Sequence, residues 1–136
     1  MVRAEPIAVQ DALTILIVDD SAMMRNMLKR AASASGAPIG RVLEATNGRE
    51  ALDVLAAEQV HALFTDLNMP EMGGAELLRC VKARTEWSGL LRVVVSTDGS
   101  TERRLELSAL GVRCCIEKPF KPEIIRELLG ELIASR

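Results

Sequence analysis

The chain has 136 residues, with 17 Lys and Arg against 19 Asp and Glu, and the resulting formal net charge of −2 excludes a bulk electrostatic binder of nucleic acid. Hydrophobic residues make up 49% and charged residues 26%, an ordinary globular composition, and the length suits one domain of roughly 100 to 200 residues. One Trp, two Phe and no Tyr leave no platform for stacking bases or sugars, so any ligand site has to be mainly polar.

No apolar run approaches the roughly 18 residues of a membrane span. The opening MVRAEPIAVQDA lacks the apolar block of a signal peptide, which predicts a cytoplasmic chain with no membrane insertion. Cys80, Cys114 and Cys115 are odd in number and show no CxxC spacing, so they are expected to be small reduced core thiols rather than disulfides or zinc ligands.

The first predicted element is a β-branched strand, Leu13 to Val18, ending abruptly at Asp19 and Asp20. Ser21 then offers a cap to the helical stretch AMMRNMLKRAASAS, whose Met23, Met24 and Met27 are expected to face the core. Gly36 and Pro38 stop that helix. Arg41 to Ala45 is a short strand, Asn47-Gly48 punctuates, and Arg49 to Glu58 carries Ala51, Leu52, Val54 and Leu55 at helical spacing. A third strand, His61 to Thr65, runs into Asp66, with His61 expected to be exposed; the loop LNMPEMGG follows, and Ala75 to Arg84 is helical again. The fourth strand, Leu91 to Val95, ends at Ser96 and Thr97. A helix over 102–110 presents Arg103 and Arg104 to solvent, and Val112 to Glu117 forms a fifth strand reaching Lys118-Pro119. In the last helix Pro122 suits the first position, Glu123 suits the positive helix start, and Ile124, Ile125, Leu128, Leu129, Leu132 and Ile133 make one stripe. Five short apolar strands alternating with five helices predict a parallel sheet covered on both faces.

Sites on open parallel sheets form outside the carboxyl ends of the strands. Those ends hold Asp19, Asp20, Asp66, Ser96 and Lys118, and no strand interior is expected to hold such a group. Three carboxylates brought together repel one another and are tolerable chiefly around a hard cation, for which Mg²⁺ is the natural fit. A lysine and a hydroxyl converging on the same place suit an anion with several oxygens, and a phosphoryl group satisfies every residue present.

In the order and spacing of Asp19-Asp20, FTDLNMPEMGG around Asp66, Ser96 and Lys118-Pro119-Phe120, the sequence resembles the receiver domain of response regulators in two-component signalling, from about Ala12 to Ala134. The resemblance implies a flavodoxin-like, doubly wound α/β fold, a five-stranded parallel sheet in the order 2-1-3-4-5 with five helices, with residues 1–11 as an N-terminal arm and 12–136 as a single receiver domain. It implies Asp66 as phosphoacceptor, Asp19, Asp20, Asp66 and the backbone carbonyl of Asn68 as the Mg²⁺ site, Lys118 as partner of the phosphoryl group and of Asp66, and Ser96 as the hydroxyl that moves to it. It implies a cis Lys118-Pro119 peptide as well. The donor would be a phosphohistidine on a histidine kinase or histidine phosphotransfer protein. Output would pass through the fourth helix, fifth strand and fifth helix to a separate protein, as in stand-alone chemotaxis or phosphorelay receivers, and the self-directed reaction would not make the chain an enzyme.

Three features depart from the family pattern. Cys115 stands where a swinging Tyr or Phe is common, Thr97 follows Ser96 where Ala or Gly is frequent, and Gly73 before Gly74 is expected to loosen the loop after Asp66. Asn68 and Asp98 occupy the positions that influence phosphoryl lifetime in the family. Cys115 and Thr97 keep open a second possibility, a receiver-fold interaction module that works without phosphorylation. A phosphohydrolase would want a carboxylate two residues after Asp66, where Asn68 stands, and a flavin binder would want glycines and hydroxyls where Asp19 and Asp20 stand.

Overall fold

The computed structural model describes residues 12–136, so the expected arm 1–11 lies outside the described residues. Five strands, β1 (Leu13–Val18), β2 (Ile39–Ala45), β3 (Ala62–Thr65), β4 (Leu91–Ser96) and β5 (Cys114–Glu117), form one parallel sheet in the order β2-β1-β3-β4-β5. They alternate with α1 (Ala22–Ser33), α2 (Gly48–Ala57), α3 (Gly74–Lys82), α4 (Thr101–Ala109) and α5 (Pro122–Ala134). This is the doubly wound architecture expected. Among the described residues no helix is long and apolar enough to cross a membrane.

Strand β1, an inner strand, is apolar but for Thr14 because both of its faces are covered. Leu13, Ile15 and Ile17 point toward Leu28, Ala31 and Ala32 of α1 and Ile125, Leu128 and Leu129 of α5. Leu16 and Val18 point the other way, into a second core with Ala51, Leu55, Leu77, Leu78, Val81 and Leu107. Ser21 caps α1 as expected, accepting the Met24 N–H at 3.2 Å, and two caps not foreseen start α2 and α4, where Asn47 accepts the Glu50 N–H at 2.9 Å and Ser100 the Arg103 N–H at 3.2 Å.

Several expectations are corrected. Met24 packs on the core, but Met23 and Met27 are exposed, 70% and 39%. They lie one residue off the stripe of Met24, Leu28 and Ala31, a step of about 100° around a helix. The fifth strand starts at Cys114 rather than Val112. Val112 closes α4 instead, its N–H donating to Leu107 O at 3.1 Å while Gly111 N–H donates to Ser108 O at 3.0 Å, with Gly111 at φ +83°. A 3₁₀ turn at Thr85–Trp87, unpredicted, precedes β4. Inside β4 lies buried Arg92, and β2 carries Arg41 and Glu44, so strand interiors do hold charged groups.

His61 is half-buried rather than exposed, and its Nδ1 accepts the Thr14 N–H at 2.9 Å, which requires a ring unprotonated at that nitrogen. Burial, and after it the charge of Arg136, push its pKa below the ordinary value. A lowered pKa makes the neutral form the stabilising one, so this contribution is whole above about pH 6.5, the unfolded reference, and is lost as pH falls through the folded value. Urea midpoints at pH 7.5 and 5.5 are therefore expected to differ more in the wild type than in His61→Leu. Equal differences would show that His61 carries no such linkage.

Candidate functional site

The ends of β1, β3, β4 and β5 meet at one edge of the sheet, and the ladders of β1, β3 and β5 run on far enough to fix the residue that follows. Asp19 N–H donates to Ala45 O at 3.1 Å, Asp66 N–H to Val18 O at 2.9 Å and Lys118 N–H to Ser96 O at 3.1 Å. Three carboxylates, those of Asp19, Asp20 and Asp66, thereby offer oxygens that all lie within 4.8 Å of one another. Asp19 and Asp66 are buried, while Asp20 is exposed.

Lys118 reaches into this corner and donates to Asp19 Oδ2 at 2.9 Å and Asp66 Oδ2 at 3.1 Å. Burial works against its charge, but the hydrogen bonds and negative charges of Asp19 and Asp66 together outweigh it and hold its pKa above the ordinary lysine value. The remaining oxygens are also placed: Ser21 N–H donates to Asp19 Oδ1 at 2.9 Å and Leu67 N–H to Asp66 Oδ1 at 2.7 Å. Arg25, which the sequence analysis passed over, ties the β1 corner to β2, donating to Asp19 O at 2.7 Å and to Glu44 at 3.0 Å. Its place one turn after Ser21 was the available signal.

The other expected site residues stand around this group. Ser96 is buried at the end of β4, its Oγ accepting the Asp98 N–H at 3.2 Å rather than meeting Asp66. Thr97, Asp98 and Asn68 are exposed. The Asp98 carboxyl is held below its ordinary pKa, first by the Ser100 N–H it accepts and then by Arg103. The Lys118-Pro119 peptide is cis, as the resemblance implied.

Cys114 and Cys115 are half-buried on opposite faces, one in each core, so they do not face each other, and burial pushes both thiols up. Gly73 is not a source of looseness. Its φ is −80°, and a Cβ there would come within 2.7 Å of Leu67 O, while a Cβ on Gly74 would fall on the carbonyl oxygen of Asp66. Both glycines serve close approach of α3 to the Asp66-Leu67 backbone. Arg103 is half-buried between Asp98 and Glu106, whereas Arg104 is exposed, as expected.

An oxygen-only donor set with one half-buried ammonium among three carboxylates fits a hard divalent cation such as Mg²⁺, which favours carboxylate oxygens and keeps several waters. Comparison with known proteins points the same way. The model of the response regulator receiver domain matches residues 15–130. A chemotaxis protein CheY homolog of Campylobacter jejuni is 36% identical over 124 residues, which cover 90% of this chain and 94% of that one. Chemotaxis protein CheY1 of Helicobacter pylori is also 36% identical, covering 90% and 98%. The solved structure of chemotaxis response regulator CheY4 of Vibrio cholerae matches with a TM-score of 0.77 at 29% identity, over 89% of this chain and 98% of that one.

Proposed function

We propose that this chain, which belongs to the response regulator receiver domain family, takes a phosphoryl group onto Asp66 in a Mg²⁺-dependent reaction and thereby changes its affinity for a separate protein. The observation that carries this is the ammonium of Lys118 held between Asp19 and Asp66 beside the exposed carboxylate of Asp20. A polar corner with more carboxylates than cations has use for a divalent ion, and its lysine has use for an anion with several oxygens.

The donor is a phosphohistidine of a histidine kinase or histidine phosphotransfer protein. An Asp66 carboxylate oxygen forms the new O–P bond in line with the P–N bond that breaks, and the departing imidazole keeps the electron pair and takes up a proton. Lys118 donates to the arriving phosphoryl oxygens as well as to Asp66, and Ser96 turns its hydroxyl from the Asp98 amide to one of them. Asp19, Asp20, Asp66 and the carbonyl of Asn68 would hold Mg²⁺, directly or through water, and the ion when bound would supply positive charge to the site. Water later attacks phosphorus and resets Asp66; Asn68 and Asp98 shape its approach, and Thr97 narrows the entrance. Pro119 and Cys115 belong to the switch. The added charge biases Ser96 and the surface of α4, β5 and α5 that meets the downstream protein. A chemotaxis role is supported by relatives named as chemotaxis proteins, and a phosphorelay role and a cytoplasmic location belong to the same proposal.

Intact mass after incubation with acetyl phosphate tests this. A gain of one phosphoryl group that requires Mg²⁺ and is absent in Asp66→Ala is expected. No gain, under conditions that label a control receiver, would favour the module that works without phosphorylation. Since Asp20 adds a third carboxylate beside the two that Lys118 pairs, Asp20→Asn is further expected to raise the Tm of the metal-free protein while weakening Mg²⁺ binding by calorimetry. A lower Tm with unchanged affinity would mean that Asp20 neither strains the site nor helps to hold the ion.

A further inference from the structure

Helix α4 is fastened differently at its two ends. Only Leu107 of its nine residues is buried, in the last turn. At that end the guanidinium of Arg92 donates from Nη1 to Leu110 O at 3.2 Å and from Nη2 to Trp87 O at 2.9 Å. Gly111 lies so close over it that a Cβ there would overlap the guanidinium. Arg92 is 6% exposed, no ion pair joins it among the described residues, and its Nε has no hydrogen-bond partner. An apolar residue at a buried charged position is often no less stable. What this cation has in return is the partial negative charge of the α4 C-terminus and two carbonyls fixed in place.

Among the described residues the other end of α4 has no buried attachment. Ser100 caps it at the surface, and Arg103 to Asp98 and Arg104 to Glu117 both span 3.5 Å between partly or fully exposed side chains. Such pairs contribute little. That end follows directly on Ser96, Thr97 and Asp98 at the phosphoacceptor edge.

We propose that Arg92 is the pivot of α4: it anchors the C-terminal end of the helix and the Thr85–Trp87 turn to β4, so that a phosphoryl group on Asp66 moves the N-terminal end alone. The movement rests on Asp66 being the acceptor; the anchoring does not.

Hydrogen exchange read by mass spectrometry, on wild type and Arg92→Met with and without acetyl phosphate and Mg²⁺, tests both halves, with intact mass reporting phosphorylation separately. In the unphosphorylated proteins, Arg92→Met is expected to speed exchange in residues 107–112 and 85–88 by about tenfold, the equivalent of one hydrogen bond to a charged group. The emission of Trp87, the only tryptophan, shifts to the red, and the Tm does not fall with it. Phosphorylated wild type exchanges faster in residues 97–104 and unchanged in 107–112, whereas phosphorylated Arg92→Met exchanges faster along the whole helix. Wild-type exchange at 107–112 in the variant, or equal acceleration of both ends in phosphorylated wild type, overturns the pivot. A wild type that gains no mass overturns the acceptor reading and the movement with it, and the unphosphorylated comparison still decides the anchoring. If Arg92→Met does not fold, Arg92→Lys, which keeps the charge but not the two-armed reach, shows the same local loss or overturns the anchor.

Discussion

Lys118→Met is expected to lower the stability of the metal-free protein by about 3 kcal/mol, a large share of the roughly 5–15 kcal/mol that holds a domain together. The cause is the pair of carboxylates it would leave behind. Asp19 is 1% exposed and Asp66 9%, and both give an oxygen to the same ammonium, at 2.9 and 3.1 Å. Methionine fills much of the space of the lysine stem but supplies neither charge nor donors, and the exposed carboxylate of Asp20 adds to the repulsion. Mg²⁺ should offset part of the loss, so the Tm of Lys118→Met rises more steeply with Mg²⁺ than that of the wild type. Labelling by acetyl phosphate should fall by about two orders of magnitude even at saturating Mg²⁺, the size of effect seen when one donor to a developing oxyanion is removed. Urea melts at several Mg²⁺ concentrations, with intact mass for labelling, check both effects. A variant as stable as wild type and equally responsive to Mg²⁺ would show that the lysine is an incidental neighbour of the two aspartates.

The expected arrangement of the acidic corner rests on a property that a parallel sheet makes legible. Its inner strands are buried on both sides and read as apolar runs, so the polar residues that follow each run mark the strand's carboxyl end. Asp19 follows its run at once, Asp66 and Lys118 stand one place further on, after Thr65 and Glu117, and the structure brings Lys118 within hydrogen-bonding distance of both aspartates. What was hidden depends on facts a linear pattern does not carry. Met23 and Met24 differ only in the 100° between neighbours on a helix, and which of them meets the sheet is set by how α1 lies on it. Arg92 interrupts the apolar run LLRVVV, a signal in plain view, but its partners are carbonyls of Trp87 and Leu110, and backbone acceptors leave no trace in sequence. His61 was similarly unreadable, since its partner is the amide of Thr14, 47 residues away. Gly73 and Gly74 suggested looseness because glycine permits many conformations; here the missing Cβ matters more than the freedom.

That distinction makes Gly74→Ala the sharpest structural test. A Cβ at Gly74 would fall on the carbonyl oxygen of Asp66 and within 3.0 Å of Leu67 Cα, and these are backbone atoms that cannot rotate aside. Either the start of α3 moves off the sheet or the Asp66-Leu67 peptide shifts, at a cost of about 3 kcal/mol. The gain in helix propensity from Gly to Ala is at most about 1 kcal/mol, so the sign is destabilising. Gly130 supplies the control: it is exposed within α5, and nothing lies within 4 Å of a Cβ built there, so Gly130→Ala has the propensity term alone and should stabilise by about 1 kcal/mol. Opposite signs for the same substitution in two helices are the expected result of urea denaturation. Because the Leu67 N–H donates to Asp66 Oδ1 at 2.7 Å, displacing that peptide also re-aims the carboxylate. Labelling of folded Gly74→Ala by acetyl phosphate should fall by about two orders of magnitude, as a misplacement near 1 Å does elsewhere. If Gly74→Ala instead matched Gly130→Ala in stability and the wild type in labelling, α3 would be free to give way, and the tight seat of its first turn on Asp66 would have no part in holding the acceptor.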